Sequence, residues 1–102
     1  MEDREFTLFE TPYTLQFIDK PIEVKDDFVV LGECDFNKRT VTVSTKDRYG
    51  NIIPDNIIQK NLMHELAHLI LGEGQYLSCN DDEPLVEWIG RCLLHLRNQK
   101  II

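Results

Sequence analysis

The sequence predicts an α+β domain in which an antiparallel sheet comes first and two helices follow. Two observations predict it. The first half carries short aromatic and β-branched runs broken by proline and glycine, with strict alternation from Arg39 to Thr45. The second half carries apolar residues at helical spacing, in two stretches separated by a glycine-containing connector. A single domain, 1–102, accounts for the whole length.

Phe6–Phe9 and Tyr13–Ile18 read as strands, because aromatic and β-branched side chains suit a pleated surface. Pro12 and Pro21 punctuate them. Phe28-Val29-Val30-Leu31, closed by Gly32, reads as a buried strand, and Asp35-Phe36-Asn37-Lys38 has turn chemistry. In Arg39–Thr45 the alternation puts Val41 and Val43 on one face and Thr40, Thr42 and Ser44 on the other. Its spacing from Val29–Leu31 suits an antiparallel hairpin.

After the polar loop 46–51, Pro54-Asp55 opens a helix at a position that has no use for a backbone N–H. The helix is expected to run through Leu71 with Gly72 as its C-cap. Ile58, Leu62, Leu66 and Leu69 form one stripe, with Met63, Ala67 and Ile70 beside it; so wide an apolar face marks a largely buried helix. Residues 72–80 form the connector. Asp81-Asp82-Glu83-Pro84 then starts a second helix, its acids placed where the helix dipole favours them, and this helix continues to about Asn98. Trp88 and Cys92 are expected in the core, and His95 on the helix surface.

Composition excludes several classes. The net charge of −7 opposes phosphate attraction, so neither nucleic acid nor an anionic membrane is an expected partner. No apolar run approaches the length of a membrane span, and the charged start Met1-Glu2-Asp3-Arg4-Glu5 has no secretory apolar region after it. Cys34, Cys79 and Cys92 are too few and uneven in number for a disulfide framework. They read as reduced thiols of a cytoplasmic protein.

The chemistry-bearing segment is His64-Glu65-Leu66-Ala67-His68. Residues four apart on an α-helix stand about 40° apart around the axis and about 6 Å along it. The two imidazoles therefore project side by side and can converge on one ion, with Glu65 flanking it. Two imidazoles that ligate zinc beside a glutamate that acts as general base is the H-E-x-x-H arrangement. An unpartnered imidazole in a helix this apolar is costly, which favours a shared ion over two unrelated histidines. A catalytic site of this kind needs a third protein ligand. Glu73, Cys79, Asp81, Asp82, Glu83, Glu87 and His95 are candidates, and Glu73 lies too near His68 to double back. Glu83 and Glu87 share one helix face and repel each other unless a cation faces them. Glu83 is assigned as third ligand, and Glu87 as the group that holds a ligating imidazole by its other ring N–H. An ion pair of Glu87 with Arg91, four residues on, accounts for Glu87 equally well.

Together, His64–His68 and the segment Glu83-Pro84-Leu85-Val86-Glu87-Trp88-Ile89-Gly90-Arg91-Cys92-Leu93-Leu94 resemble the ImmA/IrrE-type family of zinc metallopeptidases, many of whose members belong to phages and mobile elements. Val86, Gly90, Leu93 and Leu94 fall on the family's second motif; Trp88 comes one position early, and Glu87 stands where the family usually has Asn or Asp. Gly32–Phe36 and the alternating strand are similar to the family's strand region, so the likeness spans roughly 31–94. It implies a zincin-like fold, a Zn²⁺ ion held by His64, His68 and Glu83, and hydrolysis of a protein or peptide substrate such as a regulatory repressor. Zinc lowers the pKa of a bound water, and Glu65 takes its proton and passes it to the leaving amine. Were Thr40–Thr45 a sheet edge, it would take substrate as an added strand, although its Thr and Ser side chains fit an ordinary solvated face better. Tyr49, Tyr76 and His95 are the candidates for stabilising the oxyanion. The competing functions are a catalytically silent binding module that sequesters a protein, and a purely structural zinc site. A structural site has no need of Glu65.

Overall fold

The structure is a computed structural model that describes residues 2–102. The described chain runs β1 (Arg4–Leu8), β2 (Thr11–Ile18), β3 (Glu23–Val24), β4 (Val29–Val30), β5 (Gly32–Asp35), β6 (Thr40–Ser44), α1 (Asp55–Glu73), α2 (Leu77–Asn80) and α3 (Glu83–Asn98). The α+β order holds, with the sheet N-terminal and the helices C-terminal. Four strands form one sheet in the order β1-β2-β6-β5, and β3 with β4 forms a separate ribbon.

The sheet is mixed, which corrects the expected antiparallel one. β1 with β2 and β5 with β6 are antiparallel, but β2 and β6 run parallel, with Leu15 opposite Val41 and Phe17 opposite Val43. The reason is topological. Thr45 N–H donates to Ile18 O and Ser44 N–H to Leu31 O, so the end of β2, the start of β5 and the end of β6 lie together. The β3–β4 ribbon therefore stays at one end, β5 runs back, and β6 returns between β5 and β2. Alternation fixes which face a side chain takes and carries no strand direction.

Phe28–Leu31 is not one buried strand. Val29 and Val30 pair with Val24 and Glu23 in the ribbon, and Phe28 is half exposed. The hairpin partner of β6 is β5, with Gly32 opposite Val43. The turn between them is closed by Asp35, whose Oδ1 accepts from Asn37 N–H and Lys38 N–H at 2.9 and 3.0 Å. Phe9 leaves β1 for the β1–β2 turn, where its φ is 55° and its side chain is exposed.

Val41 and Val43 are fully buried at the centre of the core, beside Tyr13 and Leu15 of β2 and Ile58, Leu62 and Leu69 of α1. α1 is the middle layer: the sheet, through β5 and β6, packs on one side and α3 on another. This explains its broad apolar face. Ile70 departs from the expected stripe and is exposed.

α1 ends at Glu73, with Gly74 as its cap, two residues beyond the expected end. Gly72 is helical for a packing reason. A Cβ there would stand 2.2 Å from Cζ of Phe36, so the glycine makes room for that ring. The connector contains α2, a single turn. α3 is capped by Asp82, whose side chain accepts from Leu85 N–H at 3.2 Å. Val86 and Gly90 of α3 are buried. Trp88, two residues on from Val86, is turned about 200° away on the helix. It is therefore exposed, not core, with the Arg91 guanidinium 6.0 Å from its ring centre. Cys92 is only partly buried, and His95 is exposed.

Gly90 sets the distance between α1 and α3. A Cβ at this position would lie 3.1 Å from both Cα and N of His64 and 3.2 Å from the Met63 carbonyl carbon. These are backbone atoms in a helix and yield poorly. Glycine to alanine inside a helix normally stabilises by about 1 kcal/mol. Overpacking costs about 1–3 kcal/mol. Gly90→Ala is therefore expected to lower stability despite its better helix propensity, measured as a lower urea midpoint; a raised midpoint refutes the close contact.

Candidate metal centre

The helical spacing does what geometry requires of it. His64 and His68 project from one side of α1 with ring centres 5.0 Å apart and ring planes 72° to each other. Glu83, the first residue of α3, reaches both rings. Its Oε2 lies 3.1 Å from His64 Nε2, and its Oε1 lies 3.2 Å from His68 Nε2. Among the described residues, His64, His68 and Glu83 are the group of metal-ligating side chains whose ligand atoms lie within 4.8 Å of one another. Two imidazoles and a carboxylate are a donor set suited to zinc, and ligands about 2.0–2.1 Å from a tetrahedral zinc stand about 3.3 Å from each other. The two nitrogen–oxygen separations, one to each oxygen of Glu83, are close to that edge length.

The outer nitrogens are also engaged. His64 Nδ1 lies 2.9 Å from Glu87 Oε2, and Lys60 Nζ lies 3.9 Å from the other oxygen of Glu87. The ion pair of Glu87 with Arg91 does not form; Arg91 sits over Trp88 instead. His68 Nδ1 lies 2.6 Å from Asn80 Oδ1.

Glu65 turns from the same helix toward the sheet and is 9 % exposed. Its carboxyl lies against Gly32 of β5, where a Cβ would stand 2.9 Å from Glu65 Oε2. Burial pushes its pKa up to about 7; His68 works against this, and the charges of Glu83 and Glu33 add to it. A carboxyl poised there takes up and releases a proton near neutral pH. Next to it on β5, burial pushes the Cys34 thiol up to about 12, helped by the charges of Glu65, Asp35 and Glu33.

These groups line an open cleft of about 790 Å³, walled on the sheet side by the stretch 29–34 and on the helix side by α1. β5 is the last strand of its sheet, so the edge beside the site is β5, while β6 lies between two partners. That corrects the suggestion of an exposed edge at Thr40–Thr45. The other candidate ligands stay out of the triad, although Asp81 and Glu87 line the same cleft. Asp82 caps α3, and Glu73, Cys79, Asp81 and His95 stand outside the triad. Tyr49, Tyr76 and His95 do not line the cleft, so the expected oxyanion candidates fall away. Sequence reasoning missed Asn80, read as connector, and Gly32, read as a strand end. The glycine was legible only as punctuation; its contact with Glu65 joins residues far apart in the chain.

No family model, no curated protein and no solved structure matches the chain. The site therefore stands on its geometry.

The Cys34 environment gives a direct test. A thiol at pKa about 12 is almost wholly protonated at pH 8.5, and the thiolate is the nucleophile. Iodoacetamide labelling of Cys34, mapped by mass spectrometry, is expected to be at least about 100-fold slower than that of glutathione in the same tube, and to accelerate with each rise in pH up to 10. Labelling at the glutathione rate rejects the buried, acid-surrounded thiol.

Proposed function

We propose that the protein is a zinc-dependent metallopeptidase of zincin-like design, akin to the ImmA/IrrE type, with His64, His68 and Glu83 as ligands and Glu65 as general base. One observation carries this reading: both rings meet an oxygen at both nitrogens. A neutral imidazole donates from one nitrogen only. With Glu87 and Asn80 at the two Nδ1 atoms, each Nε2 would face a Glu83 oxygen lone pair to lone pair unless a cation stands between. One divalent ion meets both rings and the carboxylate at once, whereas protons would have to be supplied to each ring.

Zinc bound there brings a water toward ionisation near neutral pH and polarises a carbonyl oxygen. The rest falls to the chain. Glu65 Oε2, steadied against Gly32, accepts a proton from a water in the cleft and delivers it to the departing amine nitrogen. Glu87 accepts from His64 Nδ1–H and fixes that ring's orientation. The unpaired backbone groups along the outer side of β5 offer an extended peptide a strand to pair with, directly beside Glu65. Proton transfer and substrate register thus meet at Gly32.

Three measurements test the proposal. Purified protein is expected to hold one zinc ion per chain, in both the parent and Glu65→Gln. Only the parent is expected to cleave an unfolded protein substrate such as casein. Zinc in both with cleavage by neither rejects the peptidase in favour of a silent binding module or a structural zinc site, and failure of the parent to hold zinc refutes the site. Glu87→Ala, which removes the acceptor at His64 Nδ1, is expected to weaken zinc retention about 10- to 100-fold, as for groups that orient a ligand. Glu83→Ala is expected to weaken it further; the reverse order makes Glu87 the ligand.

A further inference from the structure

The single turn α2 ends on Asn80, and the Asn80–His68 contact at 2.6 Å is the shortest side-chain hydrogen bond among the described residues. Its backbone is tied as well, since Asn80 N–H donates to Tyr76 O at 2.9 Å. We propose that Asn80 is a positioning residue for the bound ion: its side-chain carbonyl keeps the proton of His68 on Nδ1 and so leaves Nε2 open toward Glu83. This rests on the metal-centre reading above.

The chemistry is that of one proton and two nitrogens. A neutral imidazole with its proton on Nε2 has no lone pair there and cannot ligate an ion from that side. The Asn80 carbonyl only accepts, so it favours the tautomer that ligates. Glu87 does the same for His64 but as an anion. The two rings are therefore held unequally, one by a carboxylate and one by a neutral amide. A further carboxylate at Asn80 would add charge to a site where Glu65, Glu83 and Glu87 already stand close. The amide orients the ring without adding to that repulsion in the ion-free protein. Asn80 and Glu83 are three residues apart, on either side of the Asp82 cap, so the third ligand and the clamp on the second ligand arrive on the same short piece of chain.

The test compares the parent, Asn80→Ala and Asn80→Asp, using zinc competition with a chromophoric chelator and NMR of the imidazole N–H protons in the zinc-loaded proteins. Asn80→Ala is expected to bind zinc about 10- to 100-fold more weakly. It is also expected to lose the slowly exchanging Nδ1–H signal of His68 while keeping that of His64. Asn80→Asp, which retains an acceptor, is expected to keep both signals and hold zinc at least as tightly as the parent. Should Asn80→Ala fail to fold, Asn80→Ser, too short to reach Nδ1, carries the same expectation. An Asn80→Ala protein with unchanged affinity and both signals ends this inference alone. So does an Asn80→Asp protein as weak as Asn80→Ala, since the acceptor would then be irrelevant. A parent that holds no zinc ends the inference and the function reading together.

Discussion

The approach of α3 to α1 at Gly90 is the constraint on which the rest of the structure depends. Gly90 lies against the backbone of His64 itself, so the distance between the two helices is set at a ligand. Glu83 begins α3 and Glu87 follows one turn later; both reach His64 because the helix that carries them is held this close. A wider spacing would loosen the packing of Val86, Leu93 and Leu94 and separate the carboxylates from the imidazoles. Stability and site geometry thus meet at one residue without a side chain.

The second organising feature is the position of α1 between two layers. One side of the helix belongs to the core with Val41 and Val43, and another belongs to the α3 contact. His64 and His68 occupy the strip left between them, where they are partly buried, and Glu65, one residue along, is carried onto the sheet side against Gly32. The order His-Glu along the helix therefore becomes a spatial order across the cleft, with the imidazoles facing α2 and α3 and the carboxylate facing the sheet edge. Burial is what chiefly raises both the Glu65 carboxyl and the Cys34 thiol, and the acids around them add to it.

Much of this was legible in the sequence, for reasons that are local. Helical periodicity placed His64 and His68 together, and the acids of Asp81–Glu83 marked the start of α3 to within two residues. The α+β order and the burial of Val41 and Val43 read correctly for the same reason, whereas Ser44, expected with Thr40 and Thr42 on a solvated face, is fully buried. Most of what escaped depends on contacts between distant residues. Strand direction escaped, because β2 and β6 pair across more than twenty intervening residues. The end of α1 escaped because Gly72 serves Phe36 and not a turn. Trp88 escaped because its size suggested burial while its helical angle turned it outward. Asn80 escaped because nothing in its neighbours marks it; its partner is twelve residues away.

The parallel pairing of β2 and β6 has a consequence for how the chain is made. The β1–β2 hairpin can form as soon as residue 18 has emerged, but the strand that fills the middle of the sheet is the last of the six to be synthesised. Until it arrives, β2 offers an open edge to any neighbouring strand, and the apolar surface of Val41 and Val43 on which α1 later settles is missing. Such long-range closure raises contact order and slows folding. The nascent polypeptide is thus most exposed to misassociation in the interval between its first hairpin and its sixth strand, before either imidazole has been translated.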